Sequence, residues 1–424
     1  MNISLVTLGV VFCLIAARTI GGLPVRIWQA MCAGALTVLA TGEIGWREAL
    51  AAIDPDVMLF LFGMFVLGDA LVASGYLYYV AYRWFSRLRS PQGLVLVVLY
   101  GGGLASALLM NDTVAIVGTP LVLRLAREHD LDPRMMLLAL AFAVTLGSVP
   151  SPIGNPQNLL IATMTGLPDP FPTFLGMLGV PTVVNLGLAW LWLRWLYRGS
   201  LRGARLVHTP VEMLDWRLAR LARAGLWLMV ALIAWRHLPG GEKGMRLSWI
   251  ALAAATPVLL FGSERRSLLR RIDWPTLAFF PAMFVLMASV WQSGAIQSWM
   301  VRWPLDPTDV PTVLGLSAGL SQLVSNVPLV ALYLPMLREA GISTEALMAL
   351  AAGSTVAGNF LILGAASNVI IAQHAEKTSS YAWLPHVCDG GCAPGLDEPG
   401  RLLGLAVRLP SVSVSTRSVF FDFS

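Results

Sequence analysis

The chain has 424 residues, 56% of them hydrophobic and 12% charged, with a formal net charge of +5 and a mean hydropathy of +0.70. Soluble domains carry roughly 25% charged residues, so this composition cannot cover a globule with polar surface and excludes a soluble fold. Excess Arg in such a chain reads as a topology signal and not as a nucleic-acid footprint.

A membrane span needs about 20 mostly apolar residues, and the chain supplies many such runs. The start, Met1-Asn2-Ile3-Ser4, has no basic region and no small-residue cleavage site follows. Residues 5–17 therefore read as the core of a retained first span. Spans are expected over 3–17, 27–40 and 57–74. Residues 76–88, with Tyr78, Tyr79, Tyr82, Arg83, Trp84 and Arg87, suit an interfacial helix. Next, the apolar runs 94–110 and 114–125 flank Asn111-Asp112-Thr113, and the second run is too short to cross alone. An ionisable group at membrane depth costs about 2.5–3.5 kcal/mol on insertion scales and marks a functional site by default.

The run 137–153 is interrupted by Gly154-Asn155-Pro156-Gln157-Asn158 and resumes over 159–164. A Trp-rich span over 175–197, a basic segment over 198–223, spans over 225–235 and 247–261, and a loop with Arg265, Arg266, Arg270 and Arg271 follow. From Asp273 the pattern returns. Met64-Phe65-Val66-Leu67 with Ser74-Gly75 matches Met283-Phe284-Val285-Leu286 with Ser293-Gly294. Asn111 and Pro120 match Asn326 and Pro335, and Gly154, Asn158 and Ala162 match Gly364, Asn368 and Ala372. Three matches in one order indicate an internal duplication.

Charge orients it. Placing 18–26, 83–89, 124–134, 194–223, 264–271 and Lys377 inside puts 20 of the 29 Lys and Arg there, against six outside, as the positive-inside rule requires. The segments around Asn111 then enter and leave from the cytoplasm as a re-entrant hairpin, and those around Asn326 do so from the other side. The expected fold is an all-α polytopic membrane protein with about 10 membrane-embedded segments. It holds two inverted repeats, each with a re-entrant hairpin and a broken helix. The expected parts are N-terminal spans over 1–50, a transport repeat over 51–197, a basic loop with linking spans over 198–272, an inverted transport repeat over 273–377, and an atypical tail over 378–424. That tail stands where the duplication predicts a closing span, and its apolar run 402–409 is too short to be one.

Gly and Pro in 154–158 free backbone carbonyls that can ligate a dehydrated cation, with Asn158 and Asn368 adding amide oxygens. The half-helix after each break presents N–H groups that favour an anion. Asp112 fits three roles: proton or cation carrier, ion ligand, or local cap. Asp69, on the third span, is a second intramembrane acid and carrier candidate, and its repeat partner is Ala288. Of the four cysteines, Cys13 and Cys32 lie in spans and Cys388 and Cys392 in the tail, so no disulfide framework or metal site is indicated.

Asn-Asp-Thr at 111–113, Gly-Asn-Pro-Gln-Asn at 154–158, Ser-Asn-Val-Pro at 325–328 and Gly-Ala-Ala-Ser-Asn at 364–368 resemble the ion transporter superfamily. This group holds arsenite permeases, citrate and divalent-anion transporters and some Na+/H+ antiporters. The resemblance covers roughly residues 50–377. It implies that the hairpin tips hold a small anion and the broken-helix loops coordinate Na+. Asn111, Asp112, Thr113, Ser325, Asn326, Asn158 and Asn368 would then bind substrate. Gly154, Asn155, Asn158, Gly364, Ser367 and Asn368 would bind the ion. It further implies Na+ or H+ as coupling ion with no other cofactor, the lipid bilayer as surroundings, a homodimer by analogy, and no nucleic acid. Two departures stand out: Asp112 adds a carboxylate, and Val327 lacks a hydroxyl, and both weaken the case for a dicarboxylate or citrate.

The expected function is a secondary transporter of a small anion (arsenite-like, inorganic oxyanion or carboxylate) in an inner or plasma membrane, working by alternating access. A Na+/H+ antiporter with Asp112 and Asp69 as carriers is the alternative. An intramembrane enzyme is the competitor from another class, but the five His fall in expected loops or helix ends, so none is expected. No G-x-x-x-x-G-K-[ST] is present for ATP. With the native cysteines changed to Ser, a cysteine at Arg87 should label only from the cytoplasmic side and one at Arg47 only from outside. The reverse labelling would invert the orientation.

Overall fold

The computed structural model describes residues 2–378 apart from 18, 21–22, 89, 204–212, 239–243, 263–264, 303–305, 307 and 360–364. The chain opens with α1 (Ile3–Ala17), a two-residue antiparallel ladder of β1 (Thr19–Ile20) and β2 (Leu23–Pro24), α2 (Ile27–Ala40) and the short α3 (Trp46–Ala52). Then come α4 (Pro55–Ala73), α5 (Tyr76–Phe85), α6 (Pro91–Leu109), α7 (Asn111–Glu128), α8 (Pro133–Ser148), α9 (Pro156–Met164) and the long α10 (Pro170–Leu196). After α11 (Arg198–Gly203) the order returns as α12 (Trp216–His237), α13 (Leu247–Phe261) and the short α14 (Arg265–Arg271). It continues with α15 (Trp274–Gln292), α16 (Ala295–Arg302), α17 (Val310–Val324), α18 (Asn326–Ala340), α19 (Thr344–Val356) and α20 (Ala366–Thr378).

Local sequence explains the helix starts. Asp54, Ser90, Asp132 and Asn155 each precede a proline and accept first-turn backbone N–H groups, which opens α4, α6, α8 and α9. Among the described residues α4, α6, α10, α12 and α15 are long and apolar enough to cross a membrane, and α1, α2, α8 and α13 are shorter apolar helices. The turns after α4 and α15 are alike. Gly75 and Gly294 have φ of 75° and 71°, and Ser74 and Ser293 donate to Leu71 O and Val290 O.

The duplication is longer than its motifs indicate. Two apolar helices and one short helix precede α4, and the same set precedes α15. Their packing crosses over: α2 lies on α15, while α13 lies on α4. Apolar pairs carry no motif, so only the contacts expose this relation. The hairpins also differ from expectation in detail. Asn111-Asp112-Thr113 is the first turn of α7 and not a loop, and α7 extends to Glu128. The turn itself is Met110, with φ 69° and ψ 139°. Gly364 and the tail from 379 onward lie outside the described residues.

In the first repeat α6 and α8 meet backbone to backbone, because a Cβ on Gly147 would run into Gly103. In the second repeat Ser317 lies against Gly353 of α19. Gly147→Ala should therefore lower the melting temperature, at a cost of about 1–3 kcal/mol for overpacking. Gly176→Ala, at an open position, is the control expected to leave melting unchanged.

Candidate functional site

Four non-Gly residues in the described chain have positive φ: Met110, Asp130, Asp169 and Ser325. Such residues are uncommon and mark functional constraint when the surroundings hold them. Met110 and Ser325 share the conformation (φ 69° and 71°, ψ 139° and 152°) and both separate hairpin arms. Each precedes an Asn that begins the second arm. This sets the register between the repeats: Asn111 pairs with Asn326, so Met110 stands where the other tip has Ser325, and Asp112 where it has Val327. Thr113 then faces Pro328 in the comparison and packs against Gly68 of α4, where a Cβ would come within 3.0 Å of Thr113 Oγ1.

The first tip hangs on the first break. Asn111 N–H donates to Gly154 O at 2.8 Å. Gly154 must be Gly, because a Cβ there would meet the Ser148 backbone. Asn155 caps α9 by accepting from Asn158 N–H at 2.8 Å. Asn158 is fully buried, and its Nδ2 donates to the unwound carbonyls of Ser148, Val149 and Ser151 at 3.3, 3.1 and 2.9 Å. Asn368 repeats this, donating to Gly358 O at 2.6 Å across the same ten-residue separation. With the nitrogens so used, Asn158 Oδ1 and Asn368 Oδ1 are buried and have no hydrogen-bond partner among the described residues. Buried lone pairs of this kind are either costly or serve a donor or cation.

The helices before the tips contribute hydroxyls. Ser106 Oγ donates to Val144 O at 2.7 Å, and the single Ser321 O–H is shared between Asn326 Oδ1 at 2.9 Å and Ser354 O at 3.2 Å. The sequence reading did not single out Ser106 and Ser321, although both stand five residues before the tip Asn. The repeats also clasp one another, since α9 packs on α18 and α19, and α20 packs on α7 and α8. Gln157 Nε2 of α9 and Nδ2 of its cap, Asn155, reach Thr355 Oγ1 of α19 at 3.1 and 3.4 Å. Gln157 and Thr355 are likewise new to the site.

Asp112 is half-buried in the first turn of α7, within electrostatic reach of Asp273, the cap of α15. Asp69 is half-buried on α4, its Oδ2 has no hydrogen-bond partner among the described residues, and Arg271 is its electrostatic neighbour. Among the described residues no Lys, Arg or His bonds to a tip or break residue. The constellation is thus made of amides, hydroxyls and one carboxylate, assembled from both repeats at two interrupted helices.

Two opposed hairpins meeting two broken helices define a polytopic membrane transporter of the inverted-repeat class. A sequence model of the citrate transporter family (CitMHS) matches residues 11–345, and the chain belongs to that family. The silicon efflux transporter LSI3 of Oryza sativa subsp. japonica is 26% identical over 445 residues, covering 89% of this chain and 91% of its own. The inner membrane protein YbiR of Escherichia coli (strain K12) is 29% identical over 279 residues, covering 66% of this chain and 70% of its own. Among solved structures the YdaH transporter of Alcanivorax borkumensis has a TM-score of 0.52 at 17% identity, over 89% of this chain and 90% of that one. That likeness concerns the fold. The family is one of transporters, and the rice relative is named as a transporter, which removes the enzyme alternative.

Asn158→Leu should strand Val149 O and weaken the hold on Ser148 O and Ser151 O, which keep backbone donors in Ser151 N–H and Gly154 N–H. The expected result is a lower melting temperature and lost activity, at about 1–3 kcal/mol for each buried group left unsatisfied. Asn158→Gln should recover part of the melting loss. A fully stable Leu variant would show that the clamp is dispensable.

Proposed function

We propose that the chain is a secondary carrier for a small hydroxylated oxyacid in its uncharged form, of the silicic- or arsenous-acid type, with Asp112 carrying the coupling cation, Na+ or H+. The basic loops face the cytoplasm in this reading. The observation that carries it is the polarity of the site's spare atoms. Among the described residues Asn158 Oδ1 and Asn368 Oδ1 are acceptors without donors, Asp112 adds an acid, and no basic side chain bonds there. An uncharged acid brings O–H donors to such a surface. A di- or tricarboxylate brings only acceptors and negative charge, and burying these without a cationic partner is costly. The rice relative carries silicon efflux in its name, which supports the same substrate class. Binding between elements of two inverted repeats supports alternating access.

A Na+/H+ antiporter is the second reading, favoured by the partnerless Asp69 Oδ2 beside Arg271. Proteoliposomes separate the possibilities. Silicic or arsenous acid should enter against its gradient when a Na+ or pH gradient is imposed. Asp112→Asn should cut gradient-driven uptake by about tenfold or more while equal-gradient counterflow persists. Citrate uptake without uptake of either acid would overturn the substrate class. Na+-driven pH change with no acid present would favour the antiporter.

A further inference from the structure

The two breaks are related by duplication, yet their cross-repeat contacts differ. At one seam Gln157 of α9 and Asn155, its cap, donate to Thr355 Oγ1 of α19. The repeat maps Thr355 onto Thr145 of α8, Gln157 onto Ser367 of α20, and Asn155 onto Ala365. Observed contacts fix this mapping. Ser106 bonds Val144 as Ser321 bonds Ser354, Asn158 bonds Ser148 as Asn368 bonds Gly358, and α20 packs on α8 as α9 packs on α19. At the second seam the side chains are shorter. Thr145 and Ser367 are buried, at 1% and 0% exposure, and neither Thr145 Oγ1 nor Ser367 Oγ has a hydrogen-bond partner among the described residues.

Leaving a buried hydroxyl unpaired is unfavourable, and a helical Thr or Ser has an easy remedy in the carbonyl four residues earlier. Thr119 and Ser354 use it, donating to Ala115 O at 2.7 Å and Leu350 O at 2.6 Å. Thr145 does not. The pair also adjoins the site. Thr145 follows Val144, whose carbonyl holds Ser106, and Ser367 precedes Asn368 with its partnerless Oδ1. Ser367 stands in the first turn of α20, where backbone N–H groups favour an oxygen ligand over a cation.

Building on the carrier reading above, we propose that Thr145 and Ser367 form a substrate subsite that takes one hydroxyl of the oxyacid, and that Gln157 fills the symmetry-related position. The ligand hydroxyl donates to one of these oxygens and accepts from the other. Substrate is therefore held toward the α8–α20 seam and not on the pseudo-twofold axis.

The full-length protein is compared as wild type, Thr145→Ser, Thr145→Val, Ser367→Gln and the double variant T145V/S367Q. The assays are silicic and arsenous acid uptake in liposomes and melting in detergent. Thr145→Val, which keeps the side-chain shape, should raise KM about five- to tenfold, the effect of one lost hydrogen bond. Thr145→Ser should stay near wild type. Ser367→Gln should reach Thr145 as Gln157 reaches Thr355, lowering uptake by about tenfold or more. It should also raise the melting midpoint by about 1–3 °C, a gain lost in T145V/S367Q. Wild-type KM in both Thr145→Val and Ser367→Gln overturns the subsite. If the wild type moves neither acid, the carrier reading falls, and melting alone decides the subsite: a Thr145-dependent gain upholds the facing pair and no gain overturns it.

Discussion

Unwound backbone at membrane depth has to be satisfied by the protein itself, since lipid offers no partner. Here that constraint is met by one asparagine per repeat. Asn158 gathers three carbonyls of the first break, and Asn368 holds Gly358 O at the second. Because each amide nitrogen is committed to backbone, each amide oxygen is left over. The same bonds that make an interrupted helix tolerable also place a spare acceptor beside it. The first hairpin then rests on this base through Asn111 N–H and Gly154 O.

The two halves share a plan but not their chemistry. The tips have the same strained turn at Met110 and Ser325, so the backbone geometry is duplicated faithfully. Side chains then diverge: Asp112 against Val327, Met110 against Ser325, Gln157 against Ser367. A carrier needs its repeats to be alike enough to exchange conformations. Its single substrate and its coupling charge need no such likeness. In the proposed mechanism Asp112 on α7 and the spare hydroxyls of α8 and α20 fall on the same side of the pseudo-twofold axis, since α20 packs on both α7 and α8.

Much of this was legible beforehand. Helix ends followed from Asp, Ser and Asn caps with proline, and the hairpins and breaks followed from polar residues lodged in apolar runs. What was misjudged was local: the triplet 111–113 was taken as the tip, whereas the turn is Met110. A non-Gly residue with positive φ gives no compositional sign, so the turn falls one residue before the expected triplet, while the pairing of Asn111 with Asn326 stands. Ser106 and Ser321 went unmarked because a serine in an apolar helix usually only bonds its own backbone.

The sequence by itself determined the membrane class, the duplication and the region of the first interruption, because hydropathy and punctuation are local properties of the chain. The break itself runs ahead of the expected 154–158, since α8 ends at Ser148 and α9 begins at Pro156. Only the tertiary structure decided that α2 covers α15 while α13 covers α4, that α9 and α20 each dock on the opposite repeat, and which polar atoms are left without partners. Those outcomes depend on which surfaces meet. An apolar span has no directional groups to announce its neighbour, and an amide reveals which of its atoms is free only once the other has been bound.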